Sequence, residues 1–181
     1  LKTAVLYGPS GFGKSQIAEH YIYKNYFQYD VVWWFRGNQY LEPQFEEFAL
    51  EVGPNVGLDL DQKIKTIGHG RLINIVKGAI RKKKLKCLII FDDVKTYPDI
   101  EPYIPFSHEK NVHVLITTKN ANFSANGIQV NSFKREESTA YIHLFLPHEL
   151  TEEKERLASY LADCPASIAL AVEYIKNYPG M

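Results

Sequence analysis

A glycine-rich loop between a strand-like and a helix-like segment is the feature that most constrains the fold of this chain. The sequence GPSGFGKS runs from Gly8 to Ser15, and its glycines, lysine and serine have the spacing of a phosphate-binding loop. The apolar stretch AVLY comes directly before it. A helical pattern follows, and its apolar face is formed by Ile17, Ala18, Tyr21 and Ile22. This order of strand, loop and helix predicts a loop that cradles phosphate groups.

The residue types of the loop suit a dense anion. Glycine adopts the sharply turned backbone that directs several N–H groups toward one phosphate, and the helix start adds unpaired N–H groups and a favourable dipole. Lys14 would reach the β- and γ-phosphates as a catalytic residue, and Ser15 would offer its hydroxyl to Mg²⁺. At the head of a helix, Lys14 is expected to be exposed. The predicted nucleotide-binding residues of the loop are Gly8, Pro9, Ser10, Gly11, Phe12, Gly13, Lys14, Ser15 and Gln16.

The composition limits the classes of partner. Hydrophobic residues make up 45% of the 181 residues, which is enough for a full core, and the net charge is zero. A neutral chain argues against bulk electrostatic binding to nucleic acid or to an acidic membrane. Cys87 and Cys164 form no metal-binding or redox spacing, so a reduced, cytoplasmic protein is expected. No bilayer-spanning stretch or signal peptide is visible, and the start on a strand indicates a piece of a longer protein.

Strand-like and helix-like segments alternate over the first part of the chain. Apolar, β-rich stretches lie at residues 31–37, 87–94 and 111–119, with a short one at 127–130, and helical patterns lie between them. This alternation predicts an α/β fold in which helices flank a parallel sheet. The stretch at 31–37 has the continuous apolar character of a strand that is buried on both faces. The helix after it is predicted to cover residues 41–52 and to end where GPNVGLD breaks the chain.

The character of the sequence changes after Phe133, beyond which no strand pattern occurs. Three helical patterns follow, at residues 134–146, 151–162 and 165–177. We therefore predict a P-loop nucleotide-binding domain over residues 1–131 and a partial helical subdomain over residues 132–181. A basic run, RKKKLK at residues 81–86, lacks interleaved aromatic residues and is interpreted as the solvated end of a helix, so nucleic-acid binding is not expected.

A second motif is an apolar strand that ends in two carboxylates, CLIIFDDV at residues 87–94. A rigid strand can hold Asp92 beside the phosphate loop, where it would bind Mg²⁺ directly or through water. Asp93 is the candidate for polarising an attacking water, and a turn or helix cap is its alternative role. The stretch TTKNAN, residues 117–122, lacks the aspartate of a guanine-binding motif. Adenine is therefore the expected base, and a small-molecule kinase remains an alternative.

The quoted blocks stand in a recognisable order. GPSGFGKSQIA, VVWWFRG, CLIIFDDV and NVHVLITTK are followed by FKREESTAYIHLF and DCPASIALAVEYI. Over nearly the whole chain this resembles the NB-ARC group of STAND ATPases, which includes plant disease-resistance proteins, apoptosome scaffolds and bacterial signalling regulators. The loop alone is generic. The Thr-Thr pair that ends NVHVLITTK and the proline-led helix of DCPASIALAVEYI are the more specific features.

The resemblance implies the strand order 5-1-4-3-2 and further nucleotide-binding residues. Thr117 and Thr118 match a Thr-Thr-Arg sensor near the γ-phosphate, with Lys119 in place of the arginine, so Thr118 and Lys119 are counted with the site. A lysine keeps the charge but loses the bidentate fork. Pro165 matches the proline of a Gly-x-Pro motif that packs at the bound nucleotide, while Asp163 stands where glycine is usual.

The resemblance also implies a function, an ATP/ADP-binding signalling switch within a longer protein that has other domains. ADP would hold the two domains together, and exchange for ATP would release them for self-association. Hydrolysis should be slow, because no glutamate follows Asp92 to orient water. The alternative is an energy-using ATPase of the AAA+ class, which usually has Asn at the sensor position and Arg in the lid. A scaffold with a degenerate loop is disfavoured by the intact Lys14, Ser15 and Asp92.

Overall fold

A computed structural model describes residues 2–60, 64, 66–104 and 110–178 of the chain. Within these ranges, helices separate the first four strands, β5 follows β4 without a helix between them, and helices alone come after β5. The strands are β1 (Lys2–Tyr7), β2 (Val31–Arg36), β3 (Cys87–Val94), β4 (Val112–Thr118) and β5 (Ile128–Gln129). The helices are α1 (Lys14–Asn25), α2 (Leu41–Val56), α3 (His69–Lys83), α4 (Tyr97–Ile100), α5 (Arg135–Phe145), α6 (Thr151–Tyr160) and α7 (Pro165–Asn177).

The five strands form one sheet in the order β2-β3-β4-β1-β5. The neighbours β2 and β3, β3 and β4, and β1 and β4 pair in parallel. Parallel neighbours need crossover connections, and helices supply most of them here. The α/β fold with a parallel sheet and the strand order 5-1-4-3-2 are therefore confirmed. In such a sheet the carboxyl ends of the strands share one edge, where ligands of open α/β folds bind.

The main core lies between one face of the sheet and the helices α2 and α3. Phe35 of β2 is 1% exposed and stacks on Phe91 of β3, with ring centroids 5.1 Å apart. Phe45 and Phe48 of α2 pack on the same ring. The prediction that β2 is buried on both faces is wrong. Among its six residues only Phe35 is fully buried, because β2 is the edge strand of the sheet.

Two helices differ from the sequence-based expectation. The helix α2 does not stop at Val52 but continues through Pro54 to Val56, because a proline in the last turn forfeits only one intrahelical hydrogen bond. It ends at Gly57, which has a φ of 78°, and the Leu58 N–H bonds to the carbonyl of Gly53, as in a Schellman motif. On α1, the expected apolar face is buried at Ala18 but exposed at Ile17 and Tyr21.

The basic run at residues 81–86 ends α3, as expected. Arg81, Lys82, Lys83 and Lys84 are exposed, and three of them lie in the last turn, where cations interact favourably with the helix dipole. The sequence predicts a second helical stretch from the break at GPNVGLD to about Lys84, either continuous or split at Gly68 and Gly70. Residues 61–63 and 65 of this stretch lie outside the described residues. Within the described residues, no helix is long and apolar enough to cross a membrane.

The chain divides into two compact units. The first contains residues 1–7 and 15–128, and the second contains residues 8–14 and 129–181. The second unit has its own small apolar core, which is formed by Ile142, Ala158, Ile168 and Val172 of α5, α6 and α7. The domain limits 1–131 and 132–181 stay a prediction. Residues 8–14 of the glycine-rich loop belong to the second unit, although they lie far from the rest of it in sequence, whereas Ser15 belongs to the first unit.

The stacked Phe35 gives a test of the first core. Phe35→Ala should lower the free energy of unfolding by about 3–5 kcal/mol, because it removes a buried ring and leaves a cavity. The matched control is Phe27→Ala, since Phe27 is 72% exposed and should change stability by less than about 0.5 kcal/mol. Chemical denaturation measures both. Similar losses in the two variants would contradict the assignment of the core.

Candidate functional site

The glycine-rich loop is built from residues in left-handed backbone conformations. Gly8, Gly11 and Gly13 have φ values of 152°, 81° and 91°. A side chain would be strained at each of these positions. At Gly8 the close packing adds a second constraint, because a Cβ atom there would lie 2.3 Å from the carbonyl oxygen of Val130. The sequence pattern therefore marks positions where the backbone itself requires glycine.

Lys14 is buried, and the expectation that it is exposed is wrong. Its side chain is only 7% exposed. The Nζ group donates hydrogen bonds to the carbonyls of Gly8 (2.8 Å) and Pro9 (2.7 Å), so the ammonium group folds back over its own loop. A buried cation needs such acceptors, since an unpaired charge in the interior is very costly. The sequence identifies the lysine but not the direction of its side chain.

The start of α7 contacts the loop within the second unit. The Ala166 N–H donates a hydrogen bond to the carbonyl of Gly11 (3.0 Å), and the Cys164 thiol lies 3.9 Å from the same oxygen. Pro165 is the first residue of α7, as expected. Hydrogen bonding by the side chain and backbone of Ser167 lowers the pKa of the Cys164 thiol. The structure thus brings Cys164 and Ala166, the neighbours of Pro165, to the glycine-rich loop.

Asp163 stands where the Gly-x-Pro motif has glycine, and its backbone adopts a conformation that favours glycine. Its φ is 54°, and that of Ala162 is 51°, so both lie in the left-handed region. An aspartate is tolerated there better than most residues. Here the Asp163 carboxylate also accepts a hydrogen bond from Arg135 at the start of α5 (2.8 Å). This ion pair fastens the turn between α6 and α7 to α5, which a glycine could not do.

In the first unit, the two residues expected to hold a metal ion are in contact. The Ser15 hydroxyl donates a hydrogen bond to Asp92 Oδ1 (2.7 Å). The hydroxyl of Thr117 donates to the same oxygen. Three elements therefore meet at one carboxylate: the first turn of α1, the end of β3 and the end of β4.

Asp93 has an unusual backbone and a well-bonded side chain. Its φ is 56°, and the pairing of β3 with β4 is irregular between Phe91 and Val94, so the strand bulges here. The Asp93 N–H donates to Thr117 Oγ1 (2.9 Å). Its carboxylate accepts a hydrogen bond from Asn38 Nδ2 (3.0 Å) and lies 3.3 Å from Lys119 Nζ. The bulge turns Asp93 away from the regular strand direction.

The Thr118 hydroxyl bonds to backbone groups and not to the Asp92 or Asp93 carboxylate. Its side chain is fully buried, and the hydroxyl donates to the Val94 carbonyl (2.7 Å) and accepts from the Asn120 N–H (3.1 Å). Thr117 lies beside Asp92, so the structure adds it to the candidate site residues. The signal was available, because consecutive strand residues face opposite sides of a sheet and only one of two threonines can face Asp92.

The other predicted residues have less specific settings. Pro9 and Ser10 are exposed, and Phe12 is half-buried. Gln16 is exposed and donates a hydrogen bond to Glu19 on its own helix (2.9 Å). Lys119, together with Asp93 and Thr118, lines an open depression of about 360 Å³ at the carboxyl ends of β3 and β4.

A parallel sheet, a glycine-rich loop before a helix and a serine–aspartate contact define the class of P-loop nucleotide-binding proteins. The sequence matches the family model of the NB-ARC domain over residues 1–145. The chain therefore belongs to the NB-ARC family, and it is a nucleotide-binding domain of the ATPase type. It matches none of the curated proteins with which it was compared.

Several solved structures share the fold. A STAND protein with a tetratricopeptide repeat sensor from Pyrococcus horikoshii has 18% sequence identity and a TM-score of 0.62, over 95% of this chain and 27% of that one. The ORC2 protein of Aeropyrum pernix, solved in ADPNP and ADP complexes, has 10% identity and a TM-score of 0.61, over 97% and 57%. The replication initiator DnaA, bound to AMPPCP and single-stranded DNA, has 16% identity and a TM-score of 0.59, over 99% and 56%. At these identities the likeness shows the fold alone.

The close packing of Gly8 against the Val130 carbonyl predicts that alanine at position 8 destabilises the protein, whereas alanine at an uncrowded glycine does not. Gly8→Ala should destabilise the protein by about 1–3 kcal/mol, because the new methyl group meets a backbone carbonyl that cannot move aside. Gly78→Ala is the matched control. A Cβ at Gly78, within α3, meets nothing within 4 Å, so this change should stabilise by about 0.5–1 kcal/mol. Equal thermal midpoints for both variants would contradict the loop geometry.

Proposed function

We propose that this chain is the ATP/ADP-binding switch domain of a larger signalling protein, with slow ATP hydrolysis. The observation that carries the proposal is the hydrogen bond from the Ala166 N–H to the carbonyl of Gly11 (3.0 Å). It joins the first turn of α7 to the loop that would hold the phosphates. A nucleotide that changes the loop therefore acts directly on the start of α7, and a switch needs such a differential contact.

The loop would hold the phosphate groups through its backbone and Lys14. Left-handed glycines allow successive N–H groups to converge on one anion. Lys14 would exchange its bonds to the carbonyls of Gly8 and Pro9 for bonds to the β- and γ-phosphates. Oxygen acceptors surround the ammonium group before and after this exchange, so its charge is never left unpaired. We propose adenine nucleotides, ATP or ADP, as the ligands.

Ser15 and Asp92 fit a magnesium ion. Mg²⁺ binds oxygen atoms at about 2.0–2.1 Å in octahedral geometry, which places neighbouring ligand atoms about 2.9 Å apart. Ser15 Oγ and Asp92 Oδ1 are 2.7 Å apart and are both hard oxygen donors. When bound, Mg²⁺ would neutralise the charge that develops on the transferred phosphate. Thr117 would keep the Asp92 carboxylate in place through its hydrogen bond to Oδ1.

The surroundings of Asp93 support slow hydrolysis. Asp93 would polarise the attacking water, but Asn38 and Lys119 already engage its carboxylate. We propose that Lys119 leaves Asp93 for the γ-phosphate when ATP is bound, so that this pair acts as the sensor. The buried Thr118 would hold the chain before Lys119 through its bond to the Val94 carbonyl.

An energy-using ATPase is the second candidate. The ORC2 protein of Aeropyrum pernix, solved in ADPNP and ADP complexes, and the replication initiator DnaA, bound to AMPPCP and single-stranded DNA, share the fold, so the fold is compatible with either use of the nucleotide. A motor and a switch differ in what the nucleotide controls. In a motor, turnover drives repeated change, whereas in a switch the retained nucleotide fixes one of two states. As a switch, the chain would act in the cytoplasm, and its longer parent would self-associate after nucleotide exchange.

Two matched variants separate metal binding from hydrolysis. Asp92→Asn should remove the gain in ATP affinity that Mg²⁺ provides, a loss of about ten- to a hundredfold, because the ion loses its anionic ligand. Asp93→Asn should leave ATP affinity largely unchanged and slow single-turnover hydrolysis. Asparagine tolerates the left-handed conformation of residue 93, so the fold should survive. Calorimetric titration with and without Mg²⁺ and a single-turnover assay test both variants. Unchanged hydrolysis in Asp93→Asn would make Asp93 a structural residue.

Pro165 tests the switch against the motor. Pro165→Ala frees the chain before α7 and removes a rigid surface beside the loop, so in the longer parent protein ADP should dissociate several-fold faster. More of the parent should also be oligomeric at rest. The matched control is Pro43→Ala, which changes a proline in the first turn of α2, in the first unit.

The measurements are the dissociation rate of a fluorescent ADP and the steady-state ATPase rate. Faster ADP release with a turnover that is already slow in the unmodified protein supports the switch. An unchanged release rate with depressed turnover refutes the switch and favours the energy-using ATPase.

A further inference from the structure

A group of metal-ligand side chains lies outside the nucleotide site, between α2 and the start of α3. Glu42 and Glu46 are one turn apart on α2, so their carboxylates project from the same face. His69 is the first residue of α3. One ligand atom from each of the three side chains lies within 4.8 Å of the others. Among the described residues, these three form the one group of at least three His, Cys, Asp or Glu side chains whose ligand atoms lie this close together.

The imidazole ring of His69 is held in a fixed orientation. Its Nε2 atom is hydrogen-bonded to the hydroxyl of Tyr103 (2.9 Å). The ring also packs at 82° to Phe45, with centroids 6.1 Å apart. In the tautomer whose Nδ1 can bind a metal ion, Nε2–H donates this hydrogen bond to the Tyr103 oxygen. Metal-binding histidines usually donate a hydrogen bond from their second ring nitrogen in this way.

The other ring nitrogen of His69, Nδ1, lacks the hydrogen bond that a buried polar atom normally has. Nδ1 is shielded from solvent and has no hydrogen-bond partner. Glu42 Oε1 lies 3.6 Å away, which is too long for a hydrogen bond. In a tetrahedral site with bonds of about 2.0–2.1 Å, neighbouring ligand atoms lie about 3.3–3.4 Å apart. The separation of Nδ1 from Oε1 thus suits two ligands of one metal ion better than a direct contact.

We propose that Glu42, Glu46 and His69 form a binding site for a divalent transition metal of the Zn²⁺ class. Two carboxylates and one neutral imidazole match the ligand preferences of Zn²⁺, and water would complete the coordination. The Glu42 side chain is 61% exposed, so an ion can enter from solvent. The bound ion would link α2 to α3, the two helices that cover the main core. Metal binding would therefore stabilise the folded first unit.

Zn²⁺ titration of the tag-free 181-residue chain tests this site. All variants are made in an Asp92→Asn background, so that the proposed magnesium site does not contribute, and residual metal is removed with a chelator first. No nucleotide is present, so the result does not depend on the proposed function. Calorimetry should show one Zn²⁺ per chain, and Co²⁺ in its place should give the intense visible band of tetrahedral coordination. Zn²⁺ should also raise the thermal midpoint.

The variants separate ligands from bystanders. Tyr103→Phe keeps all three ligands but should weaken Zn²⁺ binding about 10- to 100-fold, because it frees the His69 ring. Glu46→Gln and His69→Asn should weaken it further. The controls are Glu47→Gln and His20→Asn, which replace the same residue types at exposed positions and should bind Zn²⁺ as tightly as the background.

Thermal unfolding without metal checks that each variant is folded. If His69→Asn does not fold, Glu46→Gln alone tests the proposed ligands. The absence of a stoichiometric Zn²⁺ site in the background protein would overturn the proposal. The proposal would also be overturned if Glu46→Gln lowered the Zn²⁺ affinity no more than Glu47→Gln does.

Discussion

The proposed metal-binding residues of the first unit depend on the hydrogen bonds that the Asp92 carboxylate accepts. Its Oδ1 atom accepts hydrogen bonds from the hydroxyls of Ser15 and Thr117. These hydroxyls come from the first turn of α1 and the end of β4, while Asp92 ends β3. Such a meeting is possible because parallel strands end at one edge of the sheet and the helix after β1 starts at that edge. Loss of this acceptor would leave the hydroxyls of the buried Thr117 and the half-buried Ser15 without this partner, which for a buried group costs more than the hydrogen bond alone contributes.

Strained backbone is concentrated at the segments that the proposed function uses. Among the described non-glycine residues, a positive φ occurs at four positions, and three of them are Asp93, Ala162 and Asp163. Each costs free energy relative to an ordinary conformation and persists only where its surroundings fix it. Asp93 is fixed by the Thr117 hydroxyl and Asn38, and Asp163 by Arg135. The remaining one, Lys84, follows the last turn of α3, where a left-handed residue commonly ends a helix.

Much of the fold and part of the site could be predicted from the sequence. Alternating apolar segments predict the strands and their parallel pairing, and the resemblance to a family supplies their order. The spacing of the loop marks glycines whose backbone does require them. Residue identity could not predict where the Lys14 side chain points, so it was expected in solvent. The alternation of strand residues does imply that only one of Thr117 and Thr118 faces Asp92, but it does not say which. The apolar run of β2 alone does not reveal an edge strand, because strand order depends on distant segments. The order 5-1-4-3-2 implied by the resemblance does place β2 at the edge. Pro54 was likewise overrated as a helix breaker, since its cost depends on how many turns follow it.

Ligand chemistry keeps the two proposed ion sites of the first unit distinct. Ser15 and Asp92 offer only oxygen atoms, a set that suits Mg²⁺ and binds it best when phosphate oxygens complete the shell. Glu42, Glu46 and His69 add an imidazole nitrogen, which Mg²⁺ rarely uses and Zn²⁺ prefers. The two sites also serve different parts of the structure. The proposed magnesium site lies at strand ends, where ADP would be exchanged for ATP. The proposed zinc site would fasten α2 to α3 whichever nucleotide is bound. A transition metal would thus set the rigidity of the helices that back the sheet and leave the exchange of ADP for ATP to the loop and α7.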